Sequence, residues 1–222
     1  MLADEPQQRL AAGSHRDTLN IMQLVYIGMG SNRASQAGNP EATLVAAAVR
    51  LGSLGRLVAR SSLYFTEPVG FAEQPRFLNA VVELETQLGP RELLDGLLQI
   101  EKEFGRDRSA GIRYGPRTLD LDILVFGDQR ISESGLEIPH PRMSERDFVL
   151  IPLAELASKG EKSGMPETVS QVLQIFHARS PGLSNAIVPV QSDAWRAGPV
   201  GAAVNPDAPR PGAGSRYADG GG

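Results

Sequence analysis

Thr118-Leu119-Asp120-Leu121-Asp122-Ile123-Leu124-Val125-Phe126 is the stretch on which the reading of the fold turns. Side chains alternate across a strand, so Leu119, Leu121 and Ile123 share one face while Asp120 and Asp122 share the other. The two carboxylates then stand about 7 Å apart at their Cα atoms, by strand rise. Taken alone, such a stretch reads as an amphipathic strand whose polar face meets water. Aspartate is poorly suited to strands, however, and here two occur together. The residues just before it, RDRSAGIRYGPR, carry Arg106, Arg108, Arg113 and Arg117 and too few apolar side chains to pack, which predicts a mobile surface loop. Carboxylates beside a group of guanidinium groups suit a nucleoside triphosphate. Mg²⁺ takes one or two protein carboxylates and bridges phosphate oxygens, and arginines meet the remaining charge with paired hydrogen bonds.

Working back from this strand, the chain alternates between strand and helix signals. Pro90 opens a helix with Leu93, Leu94, Leu97, Leu98 and Phe104 on its buried side, and Gly105 stops it. Phe77 to Thr86 alternates as a strand, and Arg56 to Thr66 reads as one strand before it, the two joined by a Pro/Gly-containing link that suggests an antiparallel pair. Asn39 caps and Pro40 opens a helix whose Leu44, Ala47, Ala48 and Leu51 recur on one face. Leu24-Val25-Tyr26-Ile27 is a strand that runs into Gly28-Met29-Gly30-Ser31-Asn32, a partial dinucleotide-type glycine pattern with no third glycine in place. Strand, helix, strand, strand, helix, strand is the ferredoxin-like α+β arrangement, an antiparallel sheet covered by helices. Phe148 to Ala157 and Glu167 to Ala178 add C-terminal helices.

The remainder of the chain sets limits on function. Of 222 residues, 41% are hydrophobic and the net charge is −4, with both signs interspersed, so no overall field would hold nucleic acid or anionic lipid. No apolar run approaches a bilayer span, and the absence of cysteine excludes disulfides and thiolate zinc sites. A cytoplasmic protein is the expectation, with residues 1–20 as a flexible extension, 21–196 as one catalytic domain and 197–222, rich in Gly, Pro and Ala, as a disordered tail.

Arg113-Tyr114-Gly115-Pro116-Arg117-Thr118-Leu119-Asp120-Leu121-Asp122-Ile123-Leu124 resembles the signature of the 6-hydroxymethyl-7,8-dihydropterin pyrophosphokinase family. Gly30-Ser31-Asn32, Thr66 to Asn79, Gly105-Arg106 with Arg108, and Pro139-His140 followed by Arg146 and Phe148 agree with it in order and spacing. The resemblance implies transfer of pyrophosphate from the co-substrate ATP to the pterin hydroxymethyl group, giving AMP, in folate synthesis. It implies two Mg²⁺ ions held by Asp120 and Asp122. Arg106 and Arg117 would meet phosphates in catalysis, and Glu101, Arg108, Arg113, His140 and Arg146 would belong to the nucleotide site. The pterin would lie between Phe77 and Phe148, with Asn79 and groups near Thr66, Pro68 and Val69 reading its polar edge. The expected partners are these two small molecules, with no nucleic acid and no membrane, and the expected state is a monomer.

Read from the residues alone, Phe77 and Phe148 favour ordinary core, the commoner place for any single Phe. Asn79 interrupts a strand's apolar pattern, which favours a functional role. Two rival functions use part of the same pattern. An Asp-x-Asp nucleotidyl- or glycosyltransferase would have no use for Phe77, Asn79 and Phe148. A ferredoxin-like small-ligand module would not need two same-face aspartates beside four arginines.

Overall fold

The structure, a computed structural model, describes residues 22–68, 70, 73–107, 115–159, 165–178, 187–198, 200 and 201. The expected 1–20 extension, nearly all of the 197–222 tail, and Val69, Arg108, Arg113 and Tyr114 lie outside the described residues.

Strand β1 (Gln23–Ser31) is the axis of the molecule. It pairs antiparallel on one side with β4 (Phe77–Thr86) and on the other with β5 (Asp120–Phe126). Beyond β4 lie β2 (Arg56–Arg60) and β3 (Leu63–Thr66), and β8 (Ile187–Val190) extends the sheet past β3. The order β5-β1-β4-β3-β8, with β2 also on β4, keeps the ferredoxin-like core and adds an edge strand. Arg56 to Thr66, expected as one strand, is two. Between them Ser61 takes over part of the ladder: its N–H donates to the Val81 carbonyl at 2.9 Å and its hydroxyl accepts the Val81 N–H at 3.0 Å. The Ser62 N–H turns away to the Glu155 carboxylate at 2.8 Å.

Alternation along β1 sorts the core into two layers. Val25, Ile27 and Met29 face α1 (Pro40–Leu51) and α2 (Pro90–Glu103) together with Leu121 and Ile123 of β5. Asn39 caps α1 as expected, its side chain accepting the Ala42 N–H at 2.9 Å. Gly105, at φ 80°, takes the left-handed turn that ends α2. Tyr26 faces the other way, with Val81, Leu124 and Val125, and is covered by α3 (Asp147–Lys159) and α4 (Glu167–Ala178). The C-terminal helices therefore cover the second face of the sheet, where the sequence pattern suggested helices on one face.

Three short elements carry no long periodic signal. They are a hairpin, β6 (Ile131–Glu133) and β7 (Leu136–Ile138), then β8 with Pro189 at the sheet edge, and α5 (Asp193–Ala197). α5 buries Trp195 in the first layer, so the described chain packs as far as the residue at which the tail was expected to begin.

Candidate active site

The helices α3 and α4 cover only part of the second face. Where they stop, a cavity of about 400 Å³ opens onto β5, β1, β4 and β3. Strand register dictates what it contains. Gly30 of β1 sits between Asp120 of β5 and Asn79 of β4, and Gly28 sits between Asp122 and Val81. Paired residues share a face, so the alternation that sends Leu121 into the core aims both aspartates at the cavity. The glycines keep the floor low. A Cβ on Gly30 would stand 2.9 Å from the Asn79 side-chain oxygen, and one on Gly28 would touch Leu124 at 3.4 Å.

One end of the cavity is charged. The Asp120 carboxylate pairs with Arg106 and Arg117, one guanidinium on each oxygen. Behind it Glu101, 1% exposed, accepts the Leu121 N–H at 2.9 Å and an Arg106 N–H at 2.6 Å, while Arg106 also donates to the Leu119 carbonyl at 3.1 Å. Burial opposes ionisation of Asp120, and the Arg106 and Arg117 charges overcome it, so its pKa is lowered. Asp122 takes the opposite course. Burial, and then the neighbouring Asp120 charge, push it up to about 6. Arg146 of the loop before α3 lines the same wall, stacked 5.6 Å over the Phe148 ring.

The other end is apolar with few polar groups. Phe77 and Phe148 are only half-buried and both line the cavity, with Pro68 beside them. Asn79, 7% exposed, donates from its side-chain nitrogen to the Thr66 hydroxyl at 2.7 Å, which fixes the plane of its amide. Loop entry is fixed by Asn32. Its side-chain oxygen accepts the Arg117 N–H at 2.7 Å, and its nitrogen donates to Gln74 and to the Pro75 carbonyl, each at 2.9 Å.

A charged end and an aromatic end, in a sheet of this topology, can be compared with known proteins. Residues 26–158 match the family described as 7,8-dihydro-6-hydroxymethylpterin-pyrophosphokinase (HPPK). The chain belongs to this family. It is 50% identical over 137 residues to the 2-amino-4-hydroxy-6-hydroxymethyldihydropteridine pyrophosphokinase of Pseudomonas aeruginosa, covering 62% of this chain and 82% of that one. It is 42% identical over 160 residues to the enzyme of the same name from Bacillus subtilis, covering 71% and 92%. The solved structure of Plasmodium falciparum HPPK-DHPS with pterin and p-hydroxybenzoate superposes with a TM-score of 0.51 at 14% identity, over 76% of this chain and 46% of that one, and so shares the fold.

Within this pyrophosphokinase fold, the cavity gathers Thr66, Pro68, Phe77, Asn79, Arg117, Asp120, Asp122, Arg146 and Phe148 from the residues singled out in the sequence. Glu101 and Arg106 stand behind Asp120, one layer back from the cavity. His140 is not among the lining residues. It lies alongside β5, its backbone N–H donating to the Leu124 carbonyl at 2.9 Å and its Nδ1 accepting the Arg142 N–H at 3.2 Å, which leaves a neutral ring's proton on Nε2. Burial and the Arg146 charge lower its pKa, so it is neutral near pH 7.

The sequence pattern did not single out Gly28, Gly30 and Ile187 as lining residues. For the glycines the signal was present: spaced by two on a strand, they share a face, and register with the aspartates gives them a purpose. Ile187 carried no such signal, since a four-residue strand at the sheet edge has no period to read.

Proposed function

We propose that this cavity is where ATP pyrophosphorylates hydroxymethyl-dihydropterin. The chain is a pyrophosphokinase of folate biosynthesis, transferring a pyrophosphoryl group from ATP to the pterin hydroxymethyl oxygen and releasing AMP. The observation that carries the reading is the register of β5 on β1, by which Asp120 and Asp122 enter the same cavity as Phe77, Asn79 and Phe148. A sugar-nucleotide transferase would not need that aromatic end.

The charged end fits magnesium. Among the described residues no group of three or more His, Cys, Asp or Glu side chains forms, and two carboxylates are what Mg²⁺ takes when phosphates and water complete its shell. Burial, and after it the Asp120 charge, push the Asp122 carboxyl up, and a cation beside the pair would oppose both effects. Asp120 and Asp122 are the residues that would hold the metal, two ions in our reading. Bound Mg²⁺ supplies positive charge to the triphosphate.

The protein's own part is positioning and charge neutralisation, which supply most of the catalysis in phosphoryl transfer. Arg117, at the cavity wall, and Arg106, held by Glu101, neutralise charge that develops on the transferring group. Glu101 acts by positioning Arg106. Arg146, Arg108, Arg113 and the neutral His140 serve the rest of the nucleotide. At the far end the flat pterin lies between Phe77 and Phe148, a slot suited to an aromatic bicycle. The Thr66-anchored amide of Asn79 offers a donor and an acceptor to its edge, and we assign backbone groups of Pro68 and Val69 to the same edge. The hydroxymethyl oxygen attacks the β-phosphorus in line, AMP leaves, and no covalent enzyme intermediate is needed. One chain suffices for this chemistry, and a cytoplasmic monomer is the form we assign. Among the described residues no helix is long and apolar enough to cross a membrane.

The test is the nucleotide product. Purified protein with Mg²⁺, ATP and hydroxymethyl-dihydropterin should form AMP in step with pterin consumed. ADP as the product, or no turnover, would overturn the reading.

A further inference from the structure

The family match ends at residue 158, yet the cavity has a wall that comes from beyond it. Ile187, the first residue of β8, pairs with Thr66 of β3 and lines the cavity on the same side as Thr66 and Asn79. Its neighbour Val188 pairs with Phe65, points to the opposite face and is 43% exposed.

A four-residue strand at the edge of a sheet has few hydrogen bonds of its own to hold it in place. β8 is anchored instead by the helix next to it in the chain. Trp195 of α5 is 2% exposed, and its indole N–H donates to the Ser61 carbonyl at 2.7 Å. The Arg60 guanidinium lies 5.1 Å from the same ring and donates to the Trp195 carbonyl at 2.6 Å. Ser192 accepts the Trp195 N–H at 3.0 Å and donates to Glu41 of α1 at 2.6 Å. The Gly201 N–H donates to the Leu57 carbonyl at 2.8 Å. All these partners are on α1, β2 and the β2–β3 link, so the segment is tied back to the core on the far side of the sheet from the cavity.

We infer that Ile187 is a substrate-binding residue of the pterin end, an apolar wall beside Thr66 that limits the shape of the bicyclic substrate, and that Trp195 is a positioning residue that holds this wall in register. The inference rests on the reading of this end as the dihydropterin site. It assigns a role in substrate selection to residues 187–195, outside the segment that defines the family.

The experiment compares Ile187→Ala, Val188→Ala and Trp195→Phe in the full chain. KM is measured for each substrate in the AMP-forming assay, alongside thermal melting. Removing a few tens of Å² of apolar contact, at about 25 cal/mol per Å², should raise the KM for hydroxymethyl-dihydropterin about five-fold in Ile187→Ala. The KM for ATP and kcat should stay within two-fold, roughly the scatter expected of a contact that is not touched. Val188→Ala should leave both KM values unchanged, because its side chain leaves the same strand on the other face. Trp195→Phe, which keeps an aromatic ring and loses the N–H to Ser61, should raise the pterin KM in the same selective way by a smaller factor. An unchanged pterin KM in Ile187→Ala, or an equal rise in Val188→Ala, overturns the inference and makes β8 a merely structural strand. If the wild-type protein forms no AMP, the failure belongs to the proposed function instead. Direct titration of the dihydropterin into Ile187→Ala then decides the wall separately: affinity equal to wild type overturns it, and selective weakening sustains it.

Discussion

The two faces of this sheet are built from the same strands and behave differently. On the first face Val25, Ile27, Met29, Leu121 and Ile123 are closed over by α1, α2 and α5 in one apolar cluster, with the buried Glu101 of α2 at its edge bonded to the Leu121 N–H. On the second, the residues between them divide. Tyr26, Val81 and Leu124 lie under α3 and α4, while Gly28, Gly30, Asn79, Asp120 and Asp122 floor an open cavity. Charge on the second face divides with them. Glu83, opposite Tyr26 in the strand pairing, is buried but takes the tyrosine hydroxyl's hydrogen bond, which offsets part of the upward push that burial gives its carboxyl. Asp122, opposite Gly28, faces another carboxylate instead. Two carboxylates set side by side in an open cavity, one of them pushed up by burial and by the other, mark a place for a charge brought from outside.

Exchanging residues across this boundary should separate stability from activity. The largest effect is expected from Asp122→Ala set against Leu121→Ala, adjacent residues on opposite faces. The first should lower kcat by about a thousand-fold or more with little loss of stability, the order seen when a group that stabilises transition-state charge is removed. The second should cost about 2–5 kcal/mol of stability and leave turnover per folded molecule nearly intact. Denaturant melts and AMP assays on the same preparations read both, and exchanged outcomes would dissolve the distinction between the faces.

Arg106→Ala comes next. It takes a guanidinium partner from the buried Glu101, which keeps the Leu121 N–H, and removes one of the two guanidinium groups from Asp120. A loss of about a hundred-fold in kcat should come with a stability cost of a few kcal/mol, because a buried charge has lost its counter-charge. Full activity with unchanged melting would mean that Arg106 belongs to neither face.

Gly30→Ala is smaller and more selective. Its methyl group would press on the Asn79 oxygen at 2.9 Å and shift the amide from its Thr66 partner. The KM for the pterin should rise about ten-fold, as for a substrate hydrogen bond put out of line, with the KM for ATP held. A rise in the ATP KM alone would place the glycine at the wrong end of the cavity.

The smallest effect is on pH dependence. Because the folded protein holds the Asp122 proton up to about pH 6 and the unfolded chain releases it near 3.8, the folded state binds more protons between those values. The stability contributed by this group is therefore present below the unfolded value and is lost as pH rises through about 6. Asp120, with its pKa lowered, acts in the opposite sense at more acid pH. Ligand-free protein should lose the Asp122 contribution across that window, read as the difference between the stability profiles of wild type and Asp122→Asn. Parallel profiles would show that Asp122 is solvated like any surface carboxylate.

Much of this was legible because periodic patterns report faces. The alternation of Leu119, Asp120, Leu121 and Asp122 already separates core from site, and Asn39-Pro40 and Gly105 bound their helices as capping chemistry requires. What was not legible depended on partners distant in sequence. The break at Ser61-Ser62 needs Val81 and Glu155 to receive the displaced hydrogen bonds. The packing of α3 and α4 on the second face is set by how far the chain travels after β5, which no local period encodes. Glu101 was assigned to the nucleotide, whereas its burial and its bonds to Arg106 and Leu121 N–H place it behind the cavity wall.

The charge on Asp122, separated from its size and shape, is the property on which the proposed chemistry depends. The most direct measurement is the rate of AMP formation by Asp122→Asn per mole of folded protein, at saturating ATP, Mg²⁺ and hydroxymethyl-dihydropterin. The rate should fall at least about a thousand-fold below wild type in a protein that melts no lower, since the asparagine removes a repelled charge and nothing else. Turnover within ten-fold of wild type would contradict that dependence, because neither metal nor transferring phosphate would then rely on the carboxylate.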